Sequence, residues 1–285
     1  MITVTTRDGL RNALAGAHRA GTRIGLVPTM GFLHEGHLSL IDIARRHTDL
    51  VVMSLFVNPL QFGPGEDFER YPRNAERDGD LAVQRGVHIL FAPAVDELYP
   101  DGEPRTFVEA PTLDDRLCGA FRPGHFRGVL TVVAKLFNLV RPGVAVFGRK
   151  DLQQLVLVRR MAMDLDFDVT IEAGPIVRES DGLAMSSRNA YLSADERQQA
   201  ALLRRALLDA HAAFHEGART STDLLELARR RLAEGPLLRT QYVELVDPDR
   251  LEPVPIATAG DVIALAAFVG KTRLIDNLSL GDTAP

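Results

Sequence analysis

The sequence predicts an α/β protein: a doubly wound parallel-sheet domain followed by a second, smaller α+β domain. Two features of the chain carry this expectation. Up to residue 174, short β-branched runs alternate with helix-length amphipathic stretches, the pattern of a parallel sheet covered by helices on both faces. Beyond that point two helix-like stretches follow one another and lead into three strand-like runs.

In the first part, strands are expected at 23–28, 50–58, 87–91, 144–147 and 168–171. Helices are expected at 37–47, 74–86, 127–140 and 151–165, where apolar residues recur three and four apart. Arg141-Pro142-Gly143 closes the third of these with a basic last turn and a breaker. In the second part, 193–216 and 221–234 read as helices and 241–246, 262–269 and 272–278 as strands. Ser193 and Glu196 fit a capping box, each side chain meeting an open amide at a helix start. The domain boundaries expected are 1–174 and 175–285.

Composition narrows the class of protein. Hydrophobic residues make up 46% and charged residues 25%, with no stretch depleted in aliphatics, so the chain is expected to fold throughout apart from its last few residues. A net charge of -5 argues against a nucleic-acid partner, because phosphate-backbone binding needs clustered Lys and Arg. There is no basic segment leading into an apolar one at the N-terminus and no apolar run near the roughly 20 residues of a membrane span. A cytoplasmic protein without a membrane partner is expected. The single cysteine, Cys118, excludes an intramolecular disulfide and a thiolate metal cluster, and is expected as a buried or loop thiol.

The strongest chemical signal is Val27-Pro-Thr-Met-Gly-Phe-Leu-His-Glu-Gly-His37, between the first expected strand and the first expected helix. At a strand's carboxyl end, a helix start offers free amides and partial positive charge to phosphate. His34 and His37, three apart, can both turn to one phosphate and neutralise charge developing on phosphorus. A zinc pair is the competing reading, but helical zinc histidines are usually four apart with a Glu between and need a third ligand. Gly270-Lys271-Thr272 imitates the end of a P-loop, yet Leu265 stands where the first Gly is required and a strand-like run follows.

The HxGH spacing after the first strand of such a sheet resembles the HIGH signature of the nucleotidylyl-transferase superfamily. The second superfamily motif, KMSKS-like, has its counterpart in Met185-Ser186-Ser187-Arg188, with Ala184 in place of the first Lys. This Ser-Ser-Arg-Asn form resembles the pantothenate synthetase family. So do Ser54 to Phe62, Glu69-Arg-Tyr-Pro-Arg73, Gly124-His-Phe-Arg-Gly128 and Phe147 to Gln154, in order and spacing; the C-terminal third matches only loosely.

What the resemblance implies is specific. The activity would be ATP-dependent condensation of pantoate with β-alanine through a pantoyl-adenylate, releasing AMP and pyrophosphate, in a homodimer with ATP as substrate and Mg2+ as cofactor. His34, His37 and Lys150 would be catalytic. ATP would be held by Met30, Gly31, His34, His37, Gly148, Arg149, Lys150, Asp151, Val177, Met185, Ser186, Ser187 and Arg188. Gln61 and Gln154 would hold pantoate, and Gln61 also β-alanine. A primary amide suits pantoate, since it can donate and accept without repelling the carboxylate. Asp80 resembles a family carboxylate near magnesium, although Gly79 replaces an acidic neighbour. The 1–174 domain would bind ATP and pantoate, and 175–285 would carry the KMSKS-like segment as a lid. A sister transferase acting on a phosphate-bearing acceptor, and a non-catalytic nucleotide-sensing module, remain as alternatives.

Overall fold

Strands buried on both faces need apolar residues at nearly every position, a demand that the runs Ile24 to Val27 and Val51 to Met53 meet. In the computed structural model, which describes residues 1–283, they form the centre of a six-stranded sheet. The elements are β1 (Ile2–Val4), α1 (Arg7–Arg19), β2 (Ile24–Thr29), α2 (Glu35–His47), β3 (Leu50–Leu55), α3 (Ala75–Gln84) and β4 (Ile89–Phe91). Two short helices, α4 (Val95–Leu98) and α5 (Leu117–Phe121), precede α6 (His125–Val140), β5 (Val144–Gly148), α7 (Leu152–Asp164) and β6 (Thr170–Gly174).

The sheet order is β1-β4-β3-β2-β5-β6, and every neighbouring pair is parallel. Chain order therefore runs outward in opposite directions from β2 and β5, which creates a topological switch point between their carboxyl ends. On one face α2 buries Leu38, Ile41 and Ala44 in a cluster with Val27, Met53 and Val146. Leu26 and Val52, the alternate residues of the same strands, turn to the other face and are equally buried. The α6 helix, packed on α1, also contacts β2.

The chain divides into two compact units. The first comprises Met1–Asp114, Arg122–Arg149 and Leu157–Pro175, and the second Asp115–Phe121, Lys150–Val156 and the described residues from Ile176 onward. The second unit contains α8 (Ala194–Ala200), α9 (Leu202–His215), α10 (Ser221–Ala233) and the antiparallel sheet β7 (Leu238–Val246), β8 (Val262–Val269) and β9 (Thr272–Ser279). Its core joins Leu203, Leu207 and Leu224 of the helices to Val243, Ile263 and Leu265 of the sheet.

The expected α/β class and its parallel sheet are observed, with local departures. The strand expected at 50–58 stops at Leu55, because Asn58 and Pro59 turn the chain into a 3-10 turn, Pro59–Gln61. The helix expected at 193–216 is capped by Ser193 and Glu196 as anticipated but breaks at Ala201. No glycine or proline marks that break. The edge strand β1 and the helix α1 were not anticipated. Gly270, at φ 56°, makes the tight turn between β8 and β9, so Gly270-Lys271-Thr272 is a hairpin and not a phosphate loop.

Candidate active site

The first unit carries a candidate site on the loop between β2 and α2. Gly31 and Phe32 have φ of 89° and 49°, a left-handed pair that a Phe adopts only when neighbours hold it there. The holding group is Asp78 of α3, which is 2% exposed. Its two carboxylate oxygens accept the Phe32 and Leu33 amides at 2.7 Å each. The adjacent Arg77 donates to the Leu33 carbonyl at 2.9 Å, its guanidinium 3.7 Å from Asp78. The loop thus enters α2 in one geometry.

That geometry brings His34 and His37 together, with ring centroids 4.0 Å apart. His34 is the extended N-cap residue of α2 and His37 lies in its first turn, where the helix dipole is positive. The His34 amide donates to His37 Nδ1 at 3.4 Å, so the neutral His37 ring carries its proton on Nε2. A hydrogen-bond donor at a helix start is suited to an anionic oxygen. No group of three or more His, Cys, Asp or Glu that could hold a metal ion is found among the described residues.

Gln61 is placed by a chain of hydrogen bonds whose direction is set. The Gly128 carbonyl can only accept, and it takes a hydrogen bond from Asn58 Nδ2 at 3.0 Å. Asn58 Nδ2 also donates to Gln61 Oε1 at 3.1 Å. Gln61 Nε2 is therefore the outward atom, 3.3 Å from Met30 Sδ in the HxGH loop. The Gln61 backbone carbonyl accepts from His125 Nδ1 at 2.8 Å and from Arg122 at 3.2 Å, and Arg122 is paired with Glu66 at 2.5 Å. Gly128 is required by close approach: a Cβ there would sit 2.7 Å from the Gln61 amide nitrogen.

Gly148 ends β5, with Arg149 next to it, across the switch point from the β2 loop. In the second unit, Lys150, Asp151 and Gln154 surround the start of α7, and the Lys150 carbonyl accepts from Asn277 Nδ2 at 2.9 Å. Gln154 is partly exposed and its amide has no partner among the described residues, whereas its neighbour Gln153 is buried and spends both amide ends on the Gly119 amide and Arg116 carbonyl, at 3.3 and 2.8 Å.

The KMSKS-like segment closes a short hairpin of the second unit. Met185 donates its amide to the Val177 carbonyl at 2.9 Å, and Arg178 bridges Ala184. Arg178 also forms a two-pronged pair with buried Asp276 at 2.7 and 3.0 Å. Ser186 Oγ accepts the Arg188 amide at 3.3 Å, starting the 3-10 turn Ser187–Tyr191. Asn189 clamps the hairpin through Glu179 and the Ala184 carbonyl at 3.1 and 3.2 Å. The segment is a built turn that carries the half-buried Ser186 hydroxyl and the Arg188 guanidinium, chemistry suited to phosphate oxygens, whereas Ser187 is buried.

A family model described as pantoate-beta-alanine ligase matches residues 2–279. The chain belongs to the pantoate–β-alanine ligase family. It is 50% identical over 282 residues to a pantothenate synthetase of Thermoanaerobacter pseudethanolicus, covering 99% of both chains. Its fold superimposes on the crystal structure of a pantothenate synthetase from Thermus thermophilus with a TM-score of 0.93 at 49% identity, over 98% of this chain and 99% of that one. A pantoate-beta-alanine ligase of Francisella tularensis, complexed with beta-gamma ATP and β-alanine, matches with a TM-score of 0.83 at 30% identity over 99% of both chains.

Three residues that organise the candidate site were missed in the sequence. Asp78 was passed over for Asp80, which lies exposed on α3. Asn58 was read as a strand end and is the 1% exposed hub beneath Gln61. Tyr99 was not noticed at all. A polar residue closely following a strand, as Asn58 does, was the one available hint; the other two act across more than 40 residues of chain. Cys118 is buried, as expected, with its Sγ 3.2 Å from the Tyr242 hydroxyl and 3.3 Å from Arg273. Burial, reinforced by Cys118, pushes the Tyr242 phenol well above its ordinary range.

Proposed function

We propose that this ligase joins pantoate to β-alanine through a pantoyl-adenylate. A pantoate carboxylate oxygen attacks the α-phosphorus of ATP and pyrophosphate leaves. The amine of β-alanine then attacks the acyl carbon, loses a proton, and AMP departs. The observation that carries this reading is the His34–His37 pair at the start of α2, with Gln61 Nε2 beside Met30 of the same loop. In this reading a charge-stabilising histidine pair and an acid-orienting donor lie against the same loop.

In this reading, His37 and His34 stabilise charge on the α-phosphate, and Met30, Gly31, Gly148, Arg149, Asp151, Val177 and Met185 hold the nucleotide. On the second unit Lys150, Ser186, Ser187 and Arg188 take phosphate oxygens, and Gln154 the acid. Gln61 serves pantoate first and β-alanine afterwards. Mg2+ would travel with ATP: Asp78 is committed to two amides, Asp80 is exposed, and no three-residue metal group exists among the described residues. A homodimer in the cytoplasm is the setting that the family resemblance supports, and no described helix is long and apolar enough to cross a membrane.

Two measurements test the reading. Exchange of labelled pyrophosphate into ATP is expected to require pantoate and to proceed without β-alanine; exchange seen only with β-alanine present would reverse the order of steps. Gln154→Ala is expected to lower kcat/KM for pantoate roughly ten- to hundredfold while leaving KM for ATP nearly unchanged. Impaired ATP use with normal pantoate dependence would remove Gln154 from the acid subsite and favour a sister transferase.

A further inference from the structure

We infer that Tyr99 is a positioning residue for the acid subsite: through Asn58, its hydroxyl holds the Gln61 side-chain amide with an N–H turned toward substrate. The inference rests on the reading of Gln61 as a pantoate ligand. Tyr99 is 5% exposed and does not present its hydroxyl to the solvent side. That hydroxyl donates to Asn58 Oδ1 at 2.9 Å and has no other hydrogen bond among the described residues. Burial raises the phenol far above the ordinary tyrosine range, so it stays a protonated donor at any working pH.

The relay has a single polarity. Asn58 must turn Nδ2 toward the Gly128 carbonyl, which leaves Oδ1 on the Tyr99 side. The other Nδ2 hydrogen fixes Gln61 Oε1, and Gln61 Nε2 is left as the outward donor. Removing the phenolic hydrogen leaves Asn58 Oδ1 with only the Leu60 amide, at 3.4 Å. A buried acceptor so poorly paired tilts or turns the amide, and Gln61 then no longer has its carbonyl held inward. A Gln61 oxygen facing outward would repel a carboxylate-bearing substrate, whereas an N–H attracts it. The subsite is thus tuned for an acid in its anionic form.

The ring of Tyr99 is held independently of its hydroxyl, by Phe56 at 6.0 Å between centroids and Lys135 Nζ at 5.4 Å, so Tyr99→Phe keeps the packing. The test compares Tyr99→Phe, Gln61→Ala and the double variant by steady-state kinetics, varying pantoate and ATP separately. Tyr99→Phe is expected to raise KM for pantoate roughly tenfold with KM for ATP unchanged. In the Gln61→Ala background the same substitution should change KM for pantoate by less than about twofold, since the relay has no end to act on. Equal factors in both backgrounds, or an unchanged pantoate KM in Tyr99→Phe beside a raised one in Gln61→Ala, would overturn the positioning role alone. An unaltered pantoate KM in Gln61→Ala would instead overturn the reading of Gln61, and the inference with it. If Tyr99→Phe does not fold, Asn58→Ala, which removes the group through which Tyr99 reaches Gln61, is expected to raise KM for pantoate and not for ATP, and equal factors with and without Gln61→Ala would overturn the relay.

Discussion

Replacing His37 with alanine is expected to slow pantoate-dependent pyrophosphate exchange by roughly two to three orders of magnitude, the usual consequence of deleting one preorganised donor to a charge that grows in the transition state. His37 stands in the first turn of α2, and its Nδ1 is occupied by the His34 amide. In the neutral ring the remaining nitrogen carries the proton, at a helix start where the dipole favours negative charge. Because this donor counts for more in the transition state than in the ground state, the loss should fall mainly on the rate and less on KM for ATP. Cys118→Ser is the comparison, since the thiol lies buried against Tyr242 and Arg273 and takes no part in the proposed steps. Exchange rates for the two purified variants make the measurement. Equal losses would show that the HxGH loop does not act on phosphorus.

Asp78→Ala is expected to destabilise the fold by about 2–6 kcal/mol, because it takes a charged acceptor from two backbone amides, one of them buried, and each such loss costs roughly 1–3 kcal/mol. The Phe32 and Leu33 amides lie at 2.7 Å from the two oxygens, and the carboxylate is 2% exposed. Water cannot readily replace it. The loop it holds contains the left-handed Phe32, so the strained turn would also relax. Asp80→Ala, two residues along the same helix but exposed, is expected to stay within about 0.5 kcal/mol of the parent. Urea denaturation of both variants at constant m-value separates them. Similar midpoints for Asp78→Ala and the parent would mean that the clamp contributes nothing to holding the loop.

These expectations rest on contacts of two kinds, and only one kind leaves a trace along the chain. A central parallel strand must be apolar on both faces, so β2, β3 and β5 are legible as runs: Ile24 to Val27, Val51 to Met53 and Val144 to Phe147. The edge strand β1 has only three residues, two of them exposed, and α1, although its apolar residues keep helical spacing, buries just Leu10 and Leu14 as large side chains. The fold class, the HxGH segment at a strand's carboxyl end, the KMSKS-like segment and the false P-loop all follow from local pattern and chemistry. They are legible without any tertiary contact.

Tertiary structure alone decided which polar residues support the site. Asp78 meets amides more than 40 positions earlier, Tyr99 reaches Asn58 from a similar distance, and the Gly128 carbonyl that orients Asn58 lies 70 residues away. Hydrogen bonds to backbone groups of a distant loop impose no spacing on the residues that make them, so Asp78 and Asp80 look alike in sequence and differ only in burial. The same holds for Gln153 and Gln154, where the rotation of one helix buries the first amide and leaves the second open. Sequence by itself determined the fold class, the family and the segments where chemistry is concentrated. Which side chain in each segment holds the backbone, and which is left to meet a ligand, was decided by packing, because burial is a property of the folded neighbourhood and not of the chain.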